Sequence, residues 1–379
     1  MEQHLPMLSL LQEQIATRGW LSFAQYMDIV LYTPGHGYYA NASKKFGHLQ
    51  KDGSDFVTAP ELSPLFAYTL AQQLAAVMRA ESFEQLLEVG AGSGQLAVDL
   101  LLALDARGVS VTRYAILELS VALRERQQEK IKQALQEKPD LLAKVVWLEQ
   151  LPSEWCGIIL GNEVLDAMPV NLYARLQGHW HERGVGWDAT HQRLMWQDKI
   201  LHQPQAILES ISGTHDYITE THTMAEGFIN SLSKILQRGV ILLIDYGFPA
   251  AEYYHPQRCQ GTLMAHYRHQ AYTDPFIYPG EADLTAHINF SALADAADAA
   301  GLMLEGYTSQ ANFLMNAGLL DLLMTHDVND PRHYLPTAKV AQQLLSEAEM
   351  GELFKVIAFS RHTSFPLCGF SRGDRSHTL

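Results

Sequence analysis

The chain is poor in cysteine, poor in basic residues and free of long apolar runs, and each shortage removes a class of function. Three cysteines, Cys156, Cys259 and Cys368, occur in 379 residues, odd in number and without a C-x-x-C pair. Neither a disulfide framework nor a cysteine-built zinc site is suggested, and a reducing compartment is expected. Lysine and arginine total 27 against 42 aspartates and glutamates, for a formal net charge of -15. Broad binding to a phosphate backbone wants a basic face, so no nucleic-acid partner is expected. No apolar stretch approaches the roughly 18 residues that a membrane-spanning helix needs, so no membrane insertion is expected. Glu2 and Glu13 precede the first basic residue, Arg18, which matches neither a secretory signal nor an arginine-rich transit peptide. A cytoplasmic location is the expectation. Internal repeats and low-complexity tracts are missing as well.

Hydrophobic residues make up 47% and charged residues 18%, an ordinary globular balance at a length that suits one large α/β domain with insertions, or two domains. The stretch that organises the chain is Leu86 to Leu96, LLEVGAGSGQL, an apolar run passing into a helix-like one. Gly90, Gly92 and Gly94 fall at every second position, where a backbone without Cβ can turn sharply and approach a ligand. The dinucleotide fingerprint wants a third glycine at position 95, which is Gln95 here. Glu88, at the strand end before the loop, would accept from an ammonium or amide and repel a phosphate. Glu118 ends the next apolar run, where an acid can hold a ribose diol. S-adenosylmethionine, cationic and free of phosphate, fits this pair of carboxylates. For Glu118 alone a solvated strand end is an equal alternative.

The remaining periodicity places a helix over Leu5 to Thr17 and a glycine-rich turn with Tyr38 and Tyr39. A loop over Asp55 to Glu61 follows, with Thr58 or Ser63 as helix cap. Strands are expected at Leu86 to Val89, Ala115 to Glu118, Val145 to Leu148, Ile158 to Leu160 and Val240 to Ile244. Intervening helices run over Val98 to Leu104, Gln127 to Leu142 and His222 to Gln237. This alternation predicts a doubly wound parallel sheet with ligands beyond the strands' carboxyl ends. Leu172 to Trp196 reads as antiparallel hairpins, and its His179, His181 and His191 lack the helical motif that would suggest a metal site. Leu302 to Tyr307 and Phe354 to Phe359 read as a pair of late strands, and the tail after Gly369 as frayed.

The succession HGYY, DFVTAPE, EVGAGSG, GNEVLDAMP, LLIDYG, GTL, PGEADLTAHINF and Q-A-N-F-L resembles the MidA-like methyltransferases, from about Gly37 to Phe359. That resemblance implies an α/β chain of class I S-adenosylmethionine-dependent (Rossmann-like) fold, with an N-terminal helical region and inserted substrate-binding elements. The parts would be 1–64 (helix and lid), 65–170 (cofactor core), 171–221 (antiparallel insertion), 222–248 (core continued), 249–290 (substrate-side insertion), 291–368 (core with helical insertion) and 369–379 (tail). It also implies arginine methylation of a protein partner, such as a respiratory complex I subunit or its homologue. Gly90, Gly92, Gly94, Glu118 and Asn162 match the cofactor site, and Glu163 and Asp166 the acidic motif beside the methyl group. The chain departs from the commoner wording by reading GAGSG for G-P-G-R-G and GSDF for G-D-F.

If the acceptor is arginine, its guanidinium is protonated and delocalised, and a carboxylate pair can hold its fork and aim one nitrogen. Glu163 and Asp166 are the candidates, on one face if their loop opens a helical turn; charge compensation at a helix N-terminus is their alternative role. His287 is a candidate proton acceptor or a core histidine. Tyr38, Thr58, Glu61, Asp245, Asp283 and Thr285 are candidate substrate contacts. A small-molecule or RNA methyltransferase and a non-catalytic cofactor-binding assembly factor are the rival readings, and a homodimer is left open.

Overall fold

The computed structural model describes residues 5–41, 58–327, 329–363 and 365–379. The GSDF stretch and the first half of the expected Asp55 to Glu61 loop lie outside these residues. Seven strands form the path of the central sheet: β1 (Gln85–Val89), β2 (Arg113–Leu117), β3 (Val145–Leu148), β4 (Trp155–Asn162), β5 (Leu236–Phe248), β6 (Met303–Ser309) and β7 (Phe354–Arg361). Their order across the sheet is β3-β2-β1-β4-β5-β7-β6. Neighbours from β3 through β5 are parallel, and β7 runs antiparallel to both strands beside it. A sheet covered on both faces needs strands that are apolar at every position, which is why Ile158 to Leu160 and Ile241 to Ile244 read as unbroken apolar runs.

Alternation along each strand divides these residues between two cores. Leu86, Ile158, Leu160 and Leu242 face the helices Pro64–Glu81 and Gln95–Ala106. Leu87, Ile159 and Leu243 face the helices Thr223–Ile235 and Phe290–Ala299. The chain lays β2 and β3 on one side of β1, then β4 and β5 on the other, so the connections diverge between β1 and β4. That switch point opens a crevice beyond the carboxyl ends of these strands. This is the class I methyltransferase fold.

Two smaller sheets are added. Leu21–Ser22, Asn171–Leu176, His179–Asp188, Arg193–Ile200 and Tyr217–Thr221 form an antiparallel one, in agreement with the expected hairpins and longer than them. Met264–Tyr267, Gln270–Tyr272 and Asp283–Thr285 form another. The N-terminal helices Leu5–Arg18 and Phe23–Tyr32 share a core with both.

Three expectations change. The helix placed over Gln127 to Leu142 is Val121–Ala134 followed by a separate turn, Pro139–Leu142. Ser120 caps the first by accepting from the Leu123 amide at 3.2 Å, and Pro139 obliges the chain to restart. The helix Phe23–Tyr32, not anticipated, starts at a capping box in which Ser22 and Gln25 exchange side chain to backbone bonds. The tail is tied down: the Arg375 amide donates to Tyr307 O at 2.6 Å, and the Tyr307 amide donates to Asp374 Oδ1 at 3.0 Å.

Candidate active site

The glycine loop joins β1 to the helix Gln95–Ala106, and all three glycines have left-handed φ, 64° at Gly90, 52° at Gly92 and 83° at Gly94. An L side chain is strained there, so the loop needs glycine for its path as well as for access. A Cβ on Gly94 would also meet Ile131 Cδ1 at 3.3 Å, which makes this glycine a packing residue between two helices. Gly90 and Gly92 line a cavity of about 910 Å³ at the switch point, and Glu88, Glu118 and Asn162 line it with them.

Each acid on this wall is held by the fold. Glu88 is buried and accepts from Tyr114 Oη at 2.7 Å; burial pushes its pKa up to about 7 against that bond. A cation arriving beside it would return it to the ionised form. Glu118 Oε1 accepts from the Ser120 amide at 2.9 Å and Oε2 from Gln127 Nε2 at 2.9 Å, and burial raises its pKa. Gln127 Nε2 also donates to Gly92 O at 3.0 Å, and its Oε1 accepts from Trp147 Nε1 at 3.0 Å. One amide side chain thus joins the ribose-type acid to the glycine loop. Glu61, a candidate substrate contact, lines the cavity and also bonds to Ser93 Oγ and pairs with Lys130 at 3.5 Å, so it braces the glycine loop.

A second group of acids shares the cavity wall. Glu163, Asp166 and Asp283 line it, beside Asp28, Tyr32 and Tyr39. The expected helical turn after β4 does not form. Glu163 takes φ 52°, and the amides of Val164, Leu165 and Asp166 turn inward onto Asp245 Oδ2 at 3.1, 2.8 and 3.3 Å. Asp245 Oδ1 accepts from the Tyr246 amide at 3.0 Å. Isolating a carboxylate from water is expensive, and these four donors are what its site offers in return. Asp245 therefore holds the loop from behind and does not line the cavity, which corrects its expected substrate contact.

Burial and the Asp166 charge push Glu163 up to about 8, although its carboxylate accepts from Asn162 Nδ2 at 3.1 Å and from the Ala59 amide. Burial raises Asp166 to about 6, against a hydrogen bond donated by Tyr246 Oη. Asp283 Oδ2 accepts from Tyr39 Oη at 3.0 Å. Tyr32 stacks on Tyr39 with ring centroids 5.7 Å apart and donates to Ala167 O at 2.7 Å.

Three further candidates stand away from the cavity wall. Tyr38 is fully buried in the N-terminal core, and the adjacent Tyr39 reaches the cavity in its place. Thr285 is buried in a strand behind the wall, and its hydroxyl bonds to Tyr246 Oη. His287 packs edge-on against Tyr246, centroids 5.1 Å apart, and burial among cations lowers its pKa to about 4. Its carbonyl oxygen contacts His222 Nε2 at 2.7 Å. His287 is a core histidine here, one layer removed from the place where a proton would be released. Thr58 lines the cavity. Sequence reasoning missed Gln127, Tyr32 and Tyr39; only the second tyrosine of HGYY carried any signal, and it could not be told from its neighbour.

Residues 67–308 match the profile of the family described as "Putative S-adenosyl-L-methionine-dependent methyltransferase". The chain is 50% identical to a Burkholderia thailandensis superfamily member crystallised with S-adenosyl-homocysteine, covering 100% of this chain and 97% of that one at a TM-score of 0.96. It is 27% identical to the mitochondrial protein arginine methyltransferase NDUFAF7 of Mus musculus over 95% of this chain and 85% of that protein. The Drosophila melanogaster homologue of that protein is also 27% identical, over 95% and 87%. The chain belongs to this family of S-adenosyl-L-methionine-dependent methyltransferases, and the glycine loop with its flanking acids is a wall suited to that cofactor.

Proposed function

We propose that the protein methylates an arginine side chain of a protein partner. The observation that carries this reading is the charge of the cavity. Asp28, Glu61, Glu88, Glu118, Glu163, Asp166 and Asp283 line it, and no lysine, arginine or histidine does among the described residues. Such a wall attracts cations and repels phosphates, which disfavours RNA. The cofactor accounts for Glu88 and Glu118. Glu163, Asp166 and Asp283 remain for a second cation, and the planar fork of a guanidinium is the side chain that matches neighbouring carboxylates. The names of the curated relatives support the same choice of substrate.

S-adenosylmethionine supplies an electrophilic methyl group on a sulfonium. The chain's part is to hold the ribose with Glu118, to seat the guanidinium against Glu163 and Asp166, and to keep the reacting nitrogen aimed and dry. A respiratory complex I subunit or its homologue is the first partner to test. The cytoplasmic location belongs to the same proposal and is checked by fractionation, since the curated relatives are mitochondrial.

The test is to incubate the protein with methyl-labelled cofactor and a cell extract, then hydrolyse the labelled fraction to amino acids. Label in methylarginine, absent with Glu163→Gln, is the expected result. Label confined to lysine, to nucleic acid or to small molecules would overturn the arginine reading.

A further inference from the structure

Resting on the arginine reading above, we infer that the two cavity carboxylates divide the work: Tyr246 is a positioning residue that fixes Asp166 as the guanidinium anchor, and Glu163 is the group that takes the proton. Methylation changes the proton count, because a protonated guanidinium and a cationic sulfonium give a protonated methylguanidinium and a neutral thioether. As the new N–C bond forms the S–C bond breaks, sulfur keeps the electron pair, and one N–H proton must go to the protein and then to solvent.

The geometry separates the candidates for that proton. Asp166 Oδ2 is occupied by the Tyr246 hydroxyl, which is itself bonded to Thr285, and the Tyr246 ring packs edge-on against His287 and Phe354, centroids 5.1 and 5.4 Å away. A carboxylate held by a hydroxyl donor is stabilised as the anion. Glu163 has weaker support, one side-chain amide from Asn162 at 3.1 Å and one backbone amide from Ala59, on a backbone at left-handed φ in the cavity lining. The groups facing the pair are all acidic or neutral: Asp245 and Tyr246 from β5, Asp283 from its short strand, and Tyr32 and Tyr39 from the N-terminal region. None supplies a cation that would keep Glu163 ionised before substrate arrives. Environments that drive two neighbouring carboxylates apart are the usual basis for splitting anchor from base, and the raised Glu163 against the less raised Asp166 agrees with the geometry.

The experiment is calorimetric titration of Nα-acetylarginine methylamide into protein saturated with S-adenosylhomocysteine, at pH 7 in two buffers of different ionisation heat, which counts protons released on binding. Native protein is expected to release close to one proton per arginine bound, and Glu163→Gln close to none. Tyr246→Phe keeps the ring packing; it should bind the probe roughly tenfold more weakly and release more protons than native protein, with unchanged affinity for S-adenosylhomocysteine. A Glu163→Gln variant that releases as many protons as native protein overturns the assignment of the base. A Tyr246→Phe variant with unaltered proton release overturns the positioning role. Native protein that binds S-adenosylhomocysteine and ignores the arginine probe overturns the arginine reading itself.

Discussion

Glu163, Asp166 and Asp245 sit together within one turn of chain and one strand end, and a buried carboxylate without a cation is costly. That cost is tolerable only if something else depends on the charge. Glu163→Gln is expected to lower the methyl-transfer rate about 100-fold or more while S-adenosylhomocysteine binds as before. Because Glu163 must be ionised to work and holds its proton up to about 8, kcat/KM of native protein should rise with pH to about 8 and then level. Asp245→Ala would leave four inward amides without an acceptor, and a loss of about 2–4 kcal/mol in urea unfolding is expected. The residue scale is also where the sequence was least legible. Tyr38 and Tyr39 are chemically alike and adjacent, and only tertiary packing sends one into the core and the other to the cavity. His287 had the right chemistry, but its burial behind Tyr246 depends on contacts far apart in the chain.

At the scale of elements, the loop and the helix Val121–Ala134 work as a unit through Gln127. Gln127→Leu removes its bonds to Glu118, Gly92 and Trp147 at similar volume. Affinity for S-adenosylhomocysteine should fall roughly tenfold by calorimetry, with the preference for an arginine probe unchanged. Most elements of the sheet were legible, because unbroken apolar runs of four to eight residues between turn signals have few other readings. Glycine at every second position after Val89 located the loop as well. The helix starting at Phe23 carries a readable capping box in Ser22 and Gln25. The break at Pro139 was readable too. The inward turn of the loop after Asn162 was not, since it depends on Asp245, some eighty residues further on.

The whole molecule carries the acidic cavity as a pH-dependent load. Glu88, Asp166 and Glu163 hold their protons to about 7, 6 and 8 when folded, against 4.5, 3.8 and 4.5 as reference. At these three groups the folded chain therefore binds more protons than the unfolded one between these limits, and buried His222 and His287, lowered to about 4, oppose this only below about 6.5. The contribution of the three acids is fully present below about pH 4 and is lost as pH rises through 6 to 8. Asp188, Glu352 and Asp374 are shifted the other way and lose theirs as pH falls below the ordinary carboxylate range. The Tm of ligand-free protein should thus peak in mild acid and decline toward pH 8.5, and the cationic cofactor should relieve the decline more than its neutral product does. At this scale the doubly wound sheet was legible from the alternation of strands and helices. The union of the N-terminal helices with the two inserted sheets was not, because no local pattern records which surfaces meet.

The most direct measurement is a crystal structure of the protein with S-adenosylhomocysteine and Nα-acetylarginine methylamide together. The guanidinium should lie between Glu163 and Asp166 with one nitrogen facing the cofactor's sulfur. A cofactor that itself occupies Glu163, Asp166 and Asp283, or an arginine seated elsewhere, would contradict the account.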